Sequence, residues 1–133
     1  MNRATAQRSA SSLVDEAMAL VSTVDVAQAL LLQGQADVLF VDLREPGERE
    51  REGAIAGAFN APRGLLEFWF DAESGKPQLV RPEVQYLLFC AAGWRSALAA
   101  RTLQEMGVAR VCHLGGGFTA WKAAGAPTLT PTR

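Results

Sequence analysis

One cysteine at the end of an apolar run, with an arginine five residues later, is the arrangement in this sequence best suited to chemistry. Residues Tyr86-Leu87-Leu88-Phe89 lead into Cys90-Ala91-Ala92-Gly93-Trp94-Arg95-Ser96. A strand that ends on a thiol and turns through glycine into a helix can aim its loop N–H groups inward around the sulfur. The helix N-terminus adds a partial positive charge of about half an elementary unit. Arg95 adds a full charge and a planar fork of donors in the first helical turn. All three favour thiolate over thiol, and the thiolate is the nucleophile. The four residues between Cys90 and Arg95 limit the size of the ring. It suits one sulfur carrying a second sulfur or a small oxyanion, whereas the cradles that wrap three phosphoryl oxygens have a longer C-x5-R spacing. The blander reading, a small buried hydrophobe, accounts for neither the strand-end position nor the glycine and the arginine.

Four other groups invite a role. Asp42 and Arg44 follow a second apolar run and are expected to buttress the loop by hydrogen bonding; the alternative is a solvated turn pair worth little. Arg44 and Glu48 stand four residues apart and could pair on the turn that follows. Phe68-Trp69-Phe70 and Trp94 concentrate aromatic surface. At least one of the three clustered rings belongs in the core, and the rest suit either core packing, a lid over the sulfur or a docking patch. Cys112 sits mid-strand and reads as an inert core thiol. His113, the sole histidine, reads as structural, with no carboxylate partner in view.

The elements that must position these groups follow from the patterning. Residues 1–10 are polar and expected to fray, and 11–21 form a short amphipathic helix. Thr23 or Asp25 can cap a second helix that ends at Gly34. Residues 37–42, 86–89 and 108–113 read as strands, the first two as buried runs of the kind parallel sheets contain. Residues 44–50 read as a charged turn, 74–77 as an exposed turn, 94–106 as a helix stopped by Gly107, and 118–124 as a final helix after the Gly115-Gly116-Gly117 turn. Strands alternating with helices predict an α/β fold with a parallel sheet and helices on both faces, and ligands in such folds gather at the carboxyl ends of the strands.

The chain has 133 residues with 49% hydrophobic and 20% charged content, ordinary for one globular domain without disulfides. A net charge of -1 offers neither nucleic acid nor a membrane surface a basic face. Two cysteines and one histidine cannot supply a four-ligand zinc site, so no metal is expected. No signal peptide or spanning segment is visible, and a reducing cytoplasm is the expected setting.

Taken in order, Asp42-Leu43-Arg44 with Glu48, the run from Gly53 to Pro62 (Gly-Ala-Ile-Ala-Gly-Ala-Phe-Asn-Ala-Pro), the Cys90 loop and Gly115-Gly116-Gly117-Phe118-Thr119-Ala120-Trp121 resemble the rhodanese homology domain. The resemblance runs over about residues 23–126, leaving 1–22 as an N-terminal extension with a helix and 127–133 as a tail. It implies a three-layer fold with a central parallel sheet of about five strands. It also implies a sulfurtransferase in which Cys90 carries sulfur as a persulfide, Arg95 orients the anionic donor, and the amides of Ala91, Ala92, Gly93, Trp94 and Ser96 cradle the sulfur. Thiosulfate or a persulfide would be the donor, and a thiol, a protein persulfide acceptor or cyanide the acceptor. No cofactor is implied, and the protein would be a monomer or a homodimer. Where the family often carries a basic residue before the loop arginine, this chain has Trp94, which weakens the field offered to thiosulfate. Two other readings on the same scaffold are a non-catalytic protein-binding module, which commonly lacks the cysteine, and a small phosphatase or arsenate reductase, which the C-x4-R spacing disfavours.

Overall fold

A computed structural model describes residues 5–131. Of the ten residues expected to fray, 1–4 lie outside the described residues, as do the last two of the tail, whereas Ser9 caps the first helix and Ala10 begins it. Five strands, all parallel, form one sheet in the order β1-β5-β4-β2-β3. They are β1 (Ser22–Val24), β2 (Val38–Asp42), β3 (Phe59–Asn60), β4 (Gln85–Phe89) and β5 (Val111–Leu114). Six helices accompany them: α1 (Ala10–Leu20), α2 (Val26–Leu32), α3 (Pro46–Glu52), α4 (Leu66–Trp69), α5 (Trp94–Glu105) and α6 (Gly117–Ala123).

The two central strands show why a nearly continuous apolar run suits this position. In β2, Leu39 and Val41 turn to one face while Val38 and Phe40 turn to the other; in β4, Tyr86 and Leu88 oppose Leu87 and Phe89. With the side-chain period of 2, burial on both faces demands apolar residues at every position. On one face Leu66 and Phe70, at and just after α4, and Ala99, Ala100 and Leu103 of α5 pack against the sheet, with Cys90 among them. On the other lie α2 and α6, whose Trp121 is fully buried, meets Phe40 edge-on at 6.1 Å and donates its indole N–H to the Pro127 carbonyl at 2.8 Å. Helix α1 forms an outer layer, with Val14 and Ala17 against Ala97 of α5.

Three expectations are corrected. The charged turn at 44–50 is helical from Pro46 to Glu52. Proline at the first turn is preorganised for a helix, Glu48 Oε2 accepts the Glu45 N–H at 2.8 Å, and Gly53, at φ 102, ends it. None of its residues is buried, so an apolar stripe never marked it. The third predicted strand starts at Val111 rather than Val108, because Val108 closes the end of α5 by donating to the Leu103 carbonyl at 2.9 Å. Two short strands, β1 and β3, occupy segments that the patterning did not mark as strands. Asp25 is the cap of α2: its Oδ1 accepts the Gln28 N–H at 2.8 Å, and Gln28 Oε1 accepts the Asp25 N–H at 2.9 Å.

Candidate active site

Because the strands are parallel, their carboxyl ends share one edge, where Asp42 stands in register with both Phe89 and Asn60. Cys90 follows Phe89, and its Sγ accepts the Gly93 N–H at 3.2 Å. Gly93 reaches that position with φ +104 and lies close against the Gly116 amide, a conformation that favours glycine. Cys90 is 1% exposed. Burial alone fits a small core residue, but an inward-turned amide and a nearby guanidinium do not.

The loop is held from behind by α6. The Phe118 N–H donates to the Cys90 carbonyl at 2.8 Å and the Thr119 N–H to the Ala91 carbonyl at 3.0 Å. Gly117 makes this approach feasible, since a Cβ there would sit 2.5 Å from the Cys90 oxygen. The Gly115-Gly116-Gly117 triplet was the sequence signal for it, read there only as a turn.

The ion pairs differ from the pairing expected between Arg44 and Glu48. Arg44 turns back to Asp42, with Nε on Oδ1 at 3.0 Å and Nη2 on Oδ2 at 2.8 Å. Both residues are buried. The Arg44 guanidinium also donates to the Gly53 carbonyl at 2.9 Å and lies 4.1 Å above the Phe118 ring. Asn60 Nδ2 ties the Asp42 and Arg44 carbonyls together, each at 2.9 Å. A solvated turn pair is thereby excluded. Glu48 meets Arg95 instead, in a two-pronged pair of 2.8 and 2.9 Å. The Arg95 fork beside it holds the Glu48 carboxyl at about 2, against an ordinary 4.5, and Glu48 in turn raises the guanidinium above its already basic range, with attraction to the Cys90 sulfur acting the same way. Arg95 thus stands beside the loop with much of its charge already answered.

Ala91, the residue after the cysteine, lines a cavity of about 470 Å3 whose wall also carries Arg44, Glu48, Arg51, Phe118 and Lys122. Its charge is mixed. The aromatic cluster separates: Phe70 is buried edge-on to Tyr86 at 4.9 Å, Trp69 packs edge-on to Phe59 beneath Lys76, and Phe68 is 71% exposed. Trp94 is also exposed, at the start of α5. Cys112 is buried in β5, where desolvation pushes its thiol up. Its neighbour His113 is fully buried and bonded through both ring nitrogens, to Ser96 Oγ at 2.9 Å and Thr23 Oγ1 at 3.0 Å. The sequence offers His113 no carboxylate partner, and it holds no local sign of these hydroxyls, which lie 17 and 90 residues away. Among the described residues no three of His, Cys, Asp and Glu gather where they could hold a metal ion, and no helix is long and apolar enough to cross a membrane.

The Glu48–Arg95 pair predicts a specific acid sensitivity. A carboxylate lowered from 4.5 to about 2 contributes stability that is complete above its unfolded value and is lost as pH falls toward 2. Both partners are partly exposed, with 23% and 37% of their side-chain surface open, so the contribution is discounted to about 1 kcal/mol. Urea titrations at pH 6 and pH 2.5 should show the wild type losing about 1 kcal/mol more than Glu48→Gln over that interval. Equal losses would remove the pair as a source of stability.

Residues 23–124 match the family model described as a rhodanese-like domain. The chain is 32% identical over 104 residues to a thiosulfate sulfurtransferase GlpE of Vibrio cholerae, covering 78% of this chain and 89% of that protein. It is 37% identical over 98 residues to an uncharacterized protein of Synechocystis, where the match covers 74% of this chain and only about half (50%) of the relative. Among solved structures, a Rhodopseudomonas palustris protein of unknown function, named as a possible tyrosine phosphatase, superposes with a TM-score of 0.89 at 43% identity over 96% of this chain and 98% of that one. The polysulfide-sulfur transferase homodimer of Wolinella succinogenes gives a TM-score of 0.72 at 31% identity, over 90% and 86%. With its parallel five-stranded sheet, its Cys90 loop and this match over residues 23–124, the chain belongs to the rhodanese-like domain family.

Proposed function

We propose that this protein is a sulfurtransferase that accepts sulfane sulfur on Cys90 and hands it to a thiol or to cyanide. The observation that carries the reading is the Cys90 sulfur held by the Gly93 amide inside a loop that closes, five residues on, at Arg95. The thiolate attacks the outer sulfur of thiosulfate or of a persulfide. A new S–S bond forms, the old one breaks, and sulfite or a thiolate departs with the bonding pair. The acceptor then attacks the terminal sulfur of the persulfide, and Cys90 leaves as thiolate. This is covalent catalysis of the ping-pong kind. The Gly93 amide stabilises the anionic sulfur without reorganising, and burial keeps the persulfide from water. Arg95, shared with Glu48, orients a small anion. The reaction suits a reducing compartment such as the cytoplasm, where Cys90 remains a thiol.

The solved neighbour named as a possible tyrosine phosphatase raises the second reading. Phosphate-ester cleavage is speeded by an acid placed to protonate the leaving group. The carboxylate paired to the loop arginine, Glu48, is held ionised, at about 2. Its proton is gone at neutral pH, and the C-x4-R spacing is short for a phosphoryl group.

Intact mass after thiosulfate treatment decides between these readings. The expected result is a gain of about 32 Da, one sulfur bound covalently, that dithiothreitol removes and Cys90→Ser lacks. Cys90-dependent hydrolysis of p-nitrophenyl phosphate with no sulfur gain would overturn the proposal in favour of the phosphatase. Neither activity would leave a binding module.

A further inference from the structure

The buried histidine is unused by the reaction just described, yet it is wired to the cysteine. Cys90 Sγ lies 3.7 Å from Ser96 Oγ, which lies 2.9 Å from His113 Nδ1; His113 Nε2 lies 3.0 Å from Thr23 Oγ1. Cys90, Ser96 and His113 are all buried, whereas Thr23 is exposed on the edge strand β1. Three side chains from α5, β5 and β1 therefore link a buried sulfur to solvent in one unbroken row. We infer that Ser96, His113 and Thr23 form a proton path through which the Cys90 thiol loses its proton to water and by which the resulting thiolate is held.

The donors can be assigned in one consistent direction. Thr23 Oγ1 donates to Met18 Sδ at 3.9 Å, which leaves its oxygen free to accept from His113 Nε2–H. Nδ1 at 2.9 Å then accepts from the Ser96 hydroxyl in preference to the Gly93 carbonyl, the hydroxyl's other acceptor at 3.3 Å, and the Ser96 oxygen accepts from the Cys90 S–H. Ionisation moves each proton one place along. The Cys90 S–H bond breaks and its proton binds Ser96 Oγ. The former Ser96 proton passes to Nδ1, the Nε2 proton passes to Thr23, and Thr23 releases its own proton to water. One proton has left the thiol, no relay member has gained charge, and the histidine has changed tautomer. Ser96 now donates to the sulfur anion, and a hydrogen bond to the charged form favours that form. Return of a proton to Cys90 retraces the path and restores the first tautomer.

The environment suits a conduit better than a proton store. Burial pushes the His113 imidazole below its usual range, so a standing imidazolium is disfavoured. The charges near the two ends are Arg95, with Glu48 bound to it, on the sulfur side, and Asp15 of α1 across a cavity of about 230 Å3 that His113 lines with Met18 and Trp94. Helix α1 lies before the 23–124 family match, and its Met18 sits at the outer end of the path. The extension therefore takes part in the site instead of merely preceding it.

The inference rests on Cys90 being the nucleophile, and the test reads the thiolate without requiring sulfur transfer. Alkylation of Cys90 by iodoacetamide, followed by peptide mass, is measured from pH 6 to pH 10 on the full chain. At pH 7 the rate should fall about tenfold in Ser96→Ala and in His113→Asn, whose amide keeps a hydrogen bond but cannot pass a proton through one ring. Thr23→Val, a change of similar shape on the exposed edge strand that removes only the outer hydroxyl, should slow it about threefold, and Thr23→Ser, which keeps a hydroxyl, should restore it. Each deficit should close as pH rises and hydroxide takes the proton directly. Wild-type rates in all three disrupting variants, or deficits of the same size at every pH, would overturn the path. Failure of the sulfurtransferase reading would show differently, as an intact alkylation pattern with no gain of sulfur.

Discussion

Replacing Asp42 by alanine is expected to cost about 3–5 kcal/mol of stability, the loss typical of a buried ion pair stripped of one partner. Asp42 and Arg44 are 0% and 1% exposed. The carboxylate accepts the Arg44 backbone N–H at 3.0 Å and both arms of its guanidinium, and Arg49 Nε stands 3.3 Å from Oδ2. Without it, the Arg44 charge keeps the Gly53 carbonyl and the faces of Phe118 and Phe89. Those soften an orphan cation but do not neutralise it. A domain of this size holds about 5–15 kcal/mol in total, so the variant should unfold at far lower urea. The damage should reach the site as well, because the Leu43 N–H donates to the Phe89 carbonyl at 2.8 Å, one residue before Cys90. Two comparisons make the result diagnostic. Asp25→Ala, which removes an exposed helix cap, should cost only about 1 kcal/mol. Asp42→Ala combined with Arg44→Met should be more stable than Asp42→Ala alone, since the second change removes the uncompensated charge. A single variant no worse than Asp25→Ala would show that the pair holds nothing together.

What could be read in advance followed from how local each signal was. The Cys90 loop is contiguous, so its thiol, glycine and arginine were visible together, and the runs in β2 and β4 are apolar at nearly every position because both faces are covered. Strands β1 and β3, of three and two residues, have no run to detect; pairing with β5 and β2 makes them strands. Helix α3 has its start signal in Pro46 and Glu48 but no apolar stripe, and charge density made it look like a turn. The partner choices were the least legible. Glu48 lies 47 residues from Arg95, farther than any helical spacing rule reaches, and the nearby Arg44 was the natural but mistaken candidate. His113 was judged by its neighbours in sequence, whereas its hydrogen-bond partners come from β1 and α5.

Gly117→Ala should silence Cys90 while leaving its side chain unchanged. Gly117 opens α6 at φ +59, and a Cβ built there meets the Cys90 oxygen at 2.5 Å, the Ala91 oxygen at 2.6 Å and the Ala91 carbonyl carbon at 2.8 Å. All three are backbone atoms of the loop, so no flexible side chain can yield. Left-handed backbone costs a non-glycine residue about 1–2 kcal/mol, and forced overlap in a packed site adds about 1–3. The strain can be relieved only by pushing α6 off the loop, which breaks the bonds from the Phe118 and Thr119 amides to the Cys90 and Ala91 carbonyls. A loop displaced by about 1 Å loses about a hundredfold in rate. The variant should therefore lose about 2–5 kcal/mol of stability and take up sulfur from thiosulfate at no more than about one hundredth of the wild-type rate. Gly34→Ala supplies the contrast, because its φ is +81 but open space surrounds it. It should cost about 1–2 kcal/mol and leave uptake unchanged. Sulfur uptake by Gly117→Ala within a few-fold of wild type would mean that the loop does not depend on this close approach of α6.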